Sequence, residues 1–400
     1  MIESMRIFNY KSQKEIKLGL NPLNVLIGPN GCGKSNFIDL FSLISSGAKG
    51  ELGKALDSRG GFDTVIYKGP SKTRTQLGFG IQFTPLPHFE NIERENPESR
   101  IIYNVVISNL WNGTSVETEE LCVTTNDEKI TFVNRKPGEC SFKDESILPL
   151  TRAFSGKDKE IKKIGSPSEF AIYQVKDELN HPLPYKVNKY LEEVAVYLPF
   201  DVSAESVVRR PQLVRPGTRL APSGANLVSV LHSIQQNHQD VWGDISEILS
   251  CIYPGFRKIS FPAGGGDGKI LIQWYEEPFK ELGFSINMIS DGTVRLLLLL
   301  ALLKSPDPPS LVCIDEPETG LHPSWIKLVG ELLEEASTRT QLIVSTHSAE
   351  LVSKMKPGNV VVCEKEDGAS VMERLDEKEL SEWLEKYTLG DLWLSGHFGG

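Results

Sequence analysis

The stretch GPNGCGKS, residues 28–35, decides the fold of this chain. It matches the pattern G-x-x-x-x-G-K-[ST]. The apolar run LNVLI, residues 23–27, precedes it, and apolar residues follow at helical spacing from Phe37 to Ile44. A glycine-rich turn between a strand and a helix lets backbone N–H groups surround a phosphate, and the positive end of the helix dipole adds to the attraction. We therefore predict a phosphate-binding loop at the start of a helix.

This loop and its flank contain the first group of predicted ATP-binding residues. We expect the Lys34 ammonium group to reach the β- and γ-phosphates and to assist catalysis, and the Ser35 hydroxyl to bind Mg²⁺. ATP and Mg²⁺ are therefore the predicted cofactors. The residues expected to bind ATP here are Asn30, Gly31, Cys32, Gly33, Lys34, Ser35 and Asn36.

Two carboxylates follow a second apolar run, LVCIDE at residues 311–316. Ligands of open α/β sheets bind at the carboxyl ends of the strands. We predict that Asp315 holds Mg²⁺ and that Glu316 orients and activates the attacking water. A helix cap is the alternative explanation for one carboxylate, but it does not account for the pair in this context.

A histidine follows a third apolar run, LIVSTHS at residues 342–348. We predict that His347 lies at the same edge of the sheet and contacts the γ-phosphate during catalysis. The alternative is a structural histidine at the end of a strand, and only the two upstream motifs favour the catalytic interpretation.

The segment ISDGTVR, residues 289–295, places a short polar turn before an apolar helix. Ser290, Asp291 and Gly292 form a candidate anion site, because a helix N-terminus attracts negative charge. An ordinary helix cap by Ser290 or Asp291 predicts the same local geometry. The order of the motifs along the chain separates the two interpretations, since this turn lies between the phosphate loop and the Asp-Glu strand.

The chain shows alternating helix and strand patterns towards both ends. Helical patterns dominate from about Ser168 to Tyr253, and β-branched segments that predict strands lie at residues 76–83, 100–110, 115–123 and 129–133. The pattern predicts an α/β fold with a mixed sheet flanked by helices and with an inserted antiparallel β and helical lobe. We place the core at residues 1–150 and 256–400 and the mainly helical insertion at 151–255. No heptad repeat is sustained, so we expect no long coiled coil.

The composition excludes several classes of protein. The longest apolar run, residues 296–303, is far shorter than the roughly 18 residues of a membrane span, and the first ten residues lack the apolar core of a signal peptide. We therefore expect a cytoplasmic protein with no membrane partner. The six cysteines form no C-x-x-C pair, so zinc and dithiol sites are disfavoured. The net charge of −10 argues against a surface that is basic throughout.

One segment is locally basic. VVRRPQLVRPGTR, residues 207–219, carries four arginines and no acidic residue. Its arginines are candidate contacts to nucleic acid, to the phosphates of the nucleotide or to an acidic partner protein. A plain exposed loop is the alternative. The arginines concerned are Arg209, Arg210, Arg215 and Arg219.

The motifs GPNGCGKS, SDGTVR, CIDEPETGLHP and STHS, in this order, resemble the ABC-class ATPase heads of the RecF, SMC and OLD group. The resemblance implies a nucleotide-dependent homodimer or higher oligomer, in which the Ser290 turn is the ABC signature and contacts the γ-phosphate held by the second copy. It also implies that Arg59, in RGGFDTVIYKG, reaches the nucleotide. OLD proteins carry a nuclease domain after the ATPase, and we expect none here because only 53 residues follow His347.

The predicted activity is hydrolysis of ATP to ADP and phosphate. We expect this activity to serve DNA repair or defence against phage and mobile elements. The alternative is a nucleotide-gated scaffold that holds a separately encoded effector protein, such as a toxin or nuclease, without binding DNA.

Overall fold

The computed structural model describes residues 1–69, 75–84, 99–110, 113–125, 128–143, 160–162, 166–264 and 268–399. These residues pack into two compact units. The first comprises Met1–Ala195, Pro357–Leu380 and Gly396–Gly400, and the second comprises Val196–Lys356 and Ser381–Ser395.

The strands and helices of both units are numbered here in chain order. The strands are β1 Ile2–Tyr10, β2 Gln13–Gly19, β3 Leu23–Ile27, β4 Gln76–Phe83, β5 Arg100–Leu110, β6 Gly113–Thr124, β7 Lys129–Lys136, β8 Glu139–Lys143, β9 Glu160–Lys162, β10 Ala195–Tyr197, β11 Gln212–Leu213, β12 Phe256–Ser260, β13 Lys269–Ile270, β14 Gln273–Glu276, β15 Phe284–Ser285, β16 Leu311–Asp315, β17 Gln341–Ser345, β18 Val360–Glu366 and β19 Ala369–Arg374. The helices are α1 Lys34–Ala48, α2 Leu52–Asp57, α3 Phe62–Val65, α4 Ala171–Gln174, α5 Pro182–Glu192, α6 Leu227–Asn237, α7 Gln239–Ile252, α8 Asp291–Leu303, α9 Pro323–Ala336, α10 Ala349–Val352, α11 Glu377–Leu384 and α12 Leu389–Leu394. Short 3-10 helices lie at Val207–Arg209, Glu277–Phe279 and Pro357–Asn359.

The first unit contains a large antiparallel sheet with the strand order β2-β1-β4-β5-β6-β7-β8-β9. β-branched and aromatic residues line its buried face, including Ile101, Tyr103 and Val105 along β5. The strands predicted at residues 76–133 therefore extend the N-terminal hairpin of β1 and β2, and they do not form a separate inserted sheet.

The phosphate loop belongs to a second group of elements in this unit. β3 pairs in parallel with β18, which pairs antiparallel with β19, so the local sheet is mixed. Helix α1 buries Phe37 and Phe41, whose rings meet edge to face at 5.5 Å. Burial of one such side chain contributes about 1.5–3 kcal/mol. The predicted helical spacing from Phe37 to Ile44 is confirmed.

The second unit contains the parallel pair β16 and β17. They pair residue for residue from Leu311↔Gln341 to Asp315↔Ser345. Both strands therefore end at the same edge, and the segments that follow them emerge side by side. Helix α8 is buried over residues 296–303, as a helix that is apolar all round must be.

The α/β prediction is confirmed, and the longest helix among the described residues, α1, has 15 residues. No coiled coil is formed within this part of the chain. No helix that the structure describes is long and apolar enough to cross a membrane. The compact units divide the chain near residues 195 and 356, whereas we predicted boundaries near 150 and 255. The predicted division into a core and a mainly helical insertion at 151–255 remains a prediction.

Candidate nucleotide-binding site

Glycines shape the loop between β3 and α1. Gly28, Gly31 and Gly33 have φ values of +136°, +79° and +113°, a range that residues with a side chain rarely adopt. A Cβ atom on Gly28 would lie 2.0 Å from the carbonyl oxygen of Cys363, and one on Gly33 would lie 2.2 Å from the Ser370 hydroxyl. The loop therefore depends on glycine both for its backbone conformation and for its close contact with β18 and β19.

The residues predicted to meet phosphate lie on this loop at the start of α1. Gly33 caps α1 without a side-chain hydrogen bond, and Asn30, Gly31 and Ser35 are exposed. Gly33 has no side chain that could cap the first N–H groups of α1, which suits an anion site. Asn36 points elsewhere, because its side-chain amide donates to Ser12 Oγ at 2.8 Å.

Lys34 is buried against its own loop. Its Nζ donates to the carbonyl oxygens of Gly28 and Pro29 at 2.7 and 3.1 Å. A hydrogen bond with Cys363 and the positive charge of Lys34 lower the pKa of Cys32 to about 6. Cys363 was missed by the sequence analysis, because it lies on β18, far from the loop along the chain.

Arg59 is held by a carboxylate within the first unit. Its guanidinium group donates to both Asp39 oxygens, with Nη2 2.7 Å from Oδ1, and Lys11 and Tyr10 bind the same carboxylate. Burial acts to raise the pKa of Asp39, but these hydrogen bonds outweigh it and hold the pKa below its ordinary value. The predicted contact of Arg59 with nucleotide remains a prediction.

The second group of predicted residues follows β16 and β17 in the second unit. Ser345 Oγ donates to Asp315 Oδ1, and the Glu316 N–H donates to the Ser345 carbonyl oxygen at 3.1 Å. Glu316 has a φ of +48°, which is rare for a residue with a side chain. The backbone therefore turns sharply at Glu316, directly after Asp315.

Glu316 and His347 lie close together, as the sequence predicted for the ends of neighbouring strands. The His347 Nε2 atom is 3.7 Å from Glu316 Oε1, and both side chains are about two-fifths exposed, 37% and 39%. Thr319 Oγ1 donates to the other Glu316 oxygen at 3.2 Å. An accessible carboxylate beside an imidazole suits the orientation of a water molecule.

The Ser290 turn has the geometry that the cap and signature interpretations share. Ser290 Oγ accepts from the Thr293 N–H at 3.2 Å and caps α8. Ser290 and Asp291 are exposed, and Gly292 lies against the Gly320 carbonyl, 3.2 Å from the place of a Cβ atom. The turn is therefore accessible to a partner, and its local structure alone does not separate the two interpretations.

The four arginines of residues 207–219 do not form one basic surface. Arg209 is 4% exposed and is bonded inside the second unit, so it does not lie at the surface, where a contact with nucleic acid or a partner is predicted. Arg219 is exposed, but it makes two hydrogen bonds to the Asp307 carboxylate, at 2.9 and 3.0 Å. Arg210 and Arg215 are exposed.

A family model described as "AAA domain, putative AbiEii toxin, Type IV TA system" matches residues 23–353. The chain belongs to this family. The match begins at the first residue of β3 and includes the Ser290 turn, Asp315, Glu316 and His347. The family of AAA domains and the α/β fold are those of ATPases.

The chain is also similar to individual known proteins. It is 36% identical over 406 residues to the Old nuclease of Escherichia phage P2, covering 94% of this chain and 61% of that protein. The chain thus spans about three-fifths of that relative's length.

The fold of this AAA-domain protein is that of SMC heads. A crystal structure of an SmcHead bound to the C-winged helix domain of ScpA gives a TM-score of 0.56 at 15% identity, covering 94% of this chain and 99% of that one. An Smc head domain with an extended coiled coil, derived from Pyrococcus furiosus, gives a TM-score of 0.52 at 14% identity, covering 96% of this chain and 98% of that one.

The sequence analysis missed the residues that hold the His347 segment of this AAA-domain protein. Glu318 Oε1 accepts from Thr346 Oγ1 at 2.6 Å and from the His347 N–H at 2.8 Å. Glu318 lies within CIDEPETGLHP, and Thr346 and His347 lie within STHS, but no local pattern indicates that one segment binds the other. Glu318 and Ser345 thus link the carboxylate turn to the histidine segment.

We predict that Glu318→Ala lowers the free energy of unfolding by about 2–3 kcal/mol, because two donors near His347 lose a charged acceptor. Glu318→Gln keeps one acceptor oxygen and is expected to lose less. Urea denaturation of both variants tests this, with Glu331→Ala, an exposed glutamate on α9, as the control. Equal stability of the Glu318→Ala and Glu331→Ala variants would contradict the assigned role.

Proposed function

We propose that this AAA-domain protein binds ATP with Mg²⁺ and hydrolyses it to ADP and phosphate. The observation that carries the proposal is the pairing of β16 with β17, which brings Glu316 to within 3.7 Å of His347 at the shared end of the two strands. The glycine-shaped loop and the uncapped start of α1 support phosphate binding.

The side chains proposed to hold Mg²⁺ carry suitable ligand atoms. Asp315 and Ser35 offer the oxygen atoms that Mg²⁺ prefers, and Mg²⁺ usually takes only one or two protein ligands beside phosphates and water. The described residues contain no cluster of three or more His, Cys, Asp or Glu side chains able to hold a metal. When bound, Mg²⁺ neutralises charge on the phosphate oxygens.

The proposed chemistry assigns one task to each group of this chain. Glu316 orients the water, whose oxygen forms a bond to the γ-phosphorus while the bond from that phosphorus to the bridging oxygen of ADP breaks. The water proton leaves through Glu316 to the phosphate product. Lys34 and His347 stabilise the charge on the γ-phosphate oxygens as the bond breaks.

We further propose that two copies form the active species. Ser290, Asp291 and Gly292 are accessible on their turn, and the likeness to SMC heads supports a role for this turn on the nucleotide of a second copy. A cytoplasmic location fits this proposal.

We predict that the Glu316→Gln variant, which binds ATP without hydrolysing it, doubles its mass in ATP and Mg²⁺ but not in ADP. Light scattering after size exclusion measures the mass. Lys34→Ala added to Glu316→Gln is the control and is expected to stay monomeric, because the phosphates lose their ammonium partner. A Glu316→Gln variant that binds ATP and stays monomeric at every ATP concentration would overturn the dimer.

The proposed role is in DNA repair or in defence against phage and mobile elements. The family description names a putative toxin of a toxin–antitoxin system, and the phage P2 relative is called a nuclease.

One observation favours the alternative, a scaffold for a separately encoded effector. Of the four candidate arginines, Arg209 is buried and Arg219 is paired with Asp307, so Arg210 and Arg215 remain for a polyanion.

We predict that duplex DNA stimulates the ATPase rate of the wild type and that Arg210→Glu/Arg215→Glu abolishes the stimulation, because phosphate contacts become repulsive. Lys14→Glu/Lys17→Glu, two exposed residues on β2, makes the same change of charge elsewhere and is expected to retain it. An ATPase rate that DNA does not change, together with co-purification of a neighbouring gene product, would instead support the scaffold.

A further inference from the structure

Arg209 is a buried arginine at the end of a 3-10 helix in the second unit. The helix Val207–Arg209 begins at Ser206, whose hydroxyl accepts from the Val208 N–H. The neighbouring Arg210 points to solvent, whereas the Arg209 side chain turns inward and is only 4% exposed. A buried guanidinium group must find acceptors for its donors, because an unpaired buried charge is strongly unfavourable.

The acceptors of Arg209 come mostly from the segment that leads into α8. Nη1 donates to the carbonyl oxygen of Ile286 and, at 3.1 Å, to that of Ile289. Nη2 donates to Asp291 Oδ1 at 2.6 Å. Nε donates to the Val202 carbonyl oxygen at 2.7 Å. One rigid guanidinium plane thus fixes three points along the six residues that end in the Ser290 turn.

This arrangement depends on the shape of arginine as well as on its charge. The guanidinium group presents its donors in a flat fork, so it can bind three carbonyl oxygens and a carboxylate at once. A lysine ammonium group has the same charge but one nitrogen, and it cannot span these acceptors. Asp291 is 60% exposed, and its pairing with Arg209 holds its side chain against the turn.

We propose that Arg209 is the positioning residue of the Ser290 turn. The inference rests on the proposed function, in which Ser290, Asp291 and Gly292 meet the γ-phosphate bound by a second copy. Arg209 itself contacts no nucleotide. It sets the direction in which the turn presents the Ser290 hydroxyl and the Gly292 N–H, and it links the arginine-rich segment 207–219 to catalysis through the interior of the second unit.

The test compares Arg209→Lys with Arg257→Lys, the same substitution at an exposed arginine on β12 of the same unit. ATP hydrolysis is measured at several ATP concentrations, and the affinity of the phosphate loop is measured with a fluorescent ATP analogue. We expect Arg209→Lys to lower kcat by up to about 100-fold, because a displacement of a catalytic group by about 1 Å can have an effect of this size. ATP binding needs only the phosphate loop. KM and the analogue affinity are expected to stay near the wild-type values, and Arg257→Lys is expected to match the wild type.

A third variant, Asp291→Asn, and its combination with Arg209→Lys test whether the two residues act together. Asp291 is exposed, so its substitution leaves the core intact. If Arg209 acts through Asp291, the kcat of Arg209→Lys/Asp291→Asn falls little below that of Arg209→Lys, because the two residues act as a unit. A merely structural arginine would lower the melting temperature while kcat per folded molecule stays at the wild-type value.

The outcomes separate the two proposals. A wild type that turns over ATP, together with an Arg209→Lys variant of unchanged kcat, overturns the positioning role and leaves the ATPase function standing. Fully additive losses in the double variant also overturn it. A wild type without ATP turnover overturns the ATPase function and this inference together.

Discussion

The parallel pairing of β16 with β17 holds the candidate catalytic groups together, because the hydrogen bonding continues past the ends of both strands. The last pair, Asp315↔Ser345, is followed by a bond from the Glu316 N–H to the Ser345 carbonyl oxygen. Ser345 Oγ also binds the Asp315 carboxylate. Beyond these, Glu318 accepts from the His347 N–H. Two turns that would be independent in sequence are therefore joined into one framework.

The left-handed backbone of Glu316 shows what this framework accomplishes. Such a conformation costs of the order of 1–3 kcal/mol for a residue with a side chain, and it persists only where its surroundings fix it. Here the bonds to Ser345 fix it, and the chain reverses between neighbouring carboxylates. Asp315 consequently faces Ser345 while Glu316 faces His347, so that two adjacent acidic residues serve different tasks.

Patterns of short range predicted the fold well, but they did not predict the partners of charged residues. The α/β class and helix α1 follow from apolar periodicity, which reports burial directly. Two arginines that we predicted as ligand contacts are paired inside the fold with acidic residues distant in sequence. Arg209 binds Asp291, 82 positions away, and Arg59 binds Asp39, 20 positions away. No local pattern reveals such partners, because an exposed and a buried arginine occur in equally polar segments.

The rate of ATP hydrolysis by Ser345→Ala in a single turnover tests the importance of the β16–β17 framework most directly. Loss of the Ser345 hydroxyl removes one hydrogen bond from the Asp315 carboxylate while leaving the phosphate loop unchanged, and Ser348→Ala, which removes only the cap of α10, is the matched control. We predict a rate about 10–100-fold below the wild type for Ser345→Ala, as for other residues that orient a metal ligand, with unchanged ATP affinity. A Ser345→Ala rate equal to that of Ser348→Ala would contradict the framework as the basis of the site.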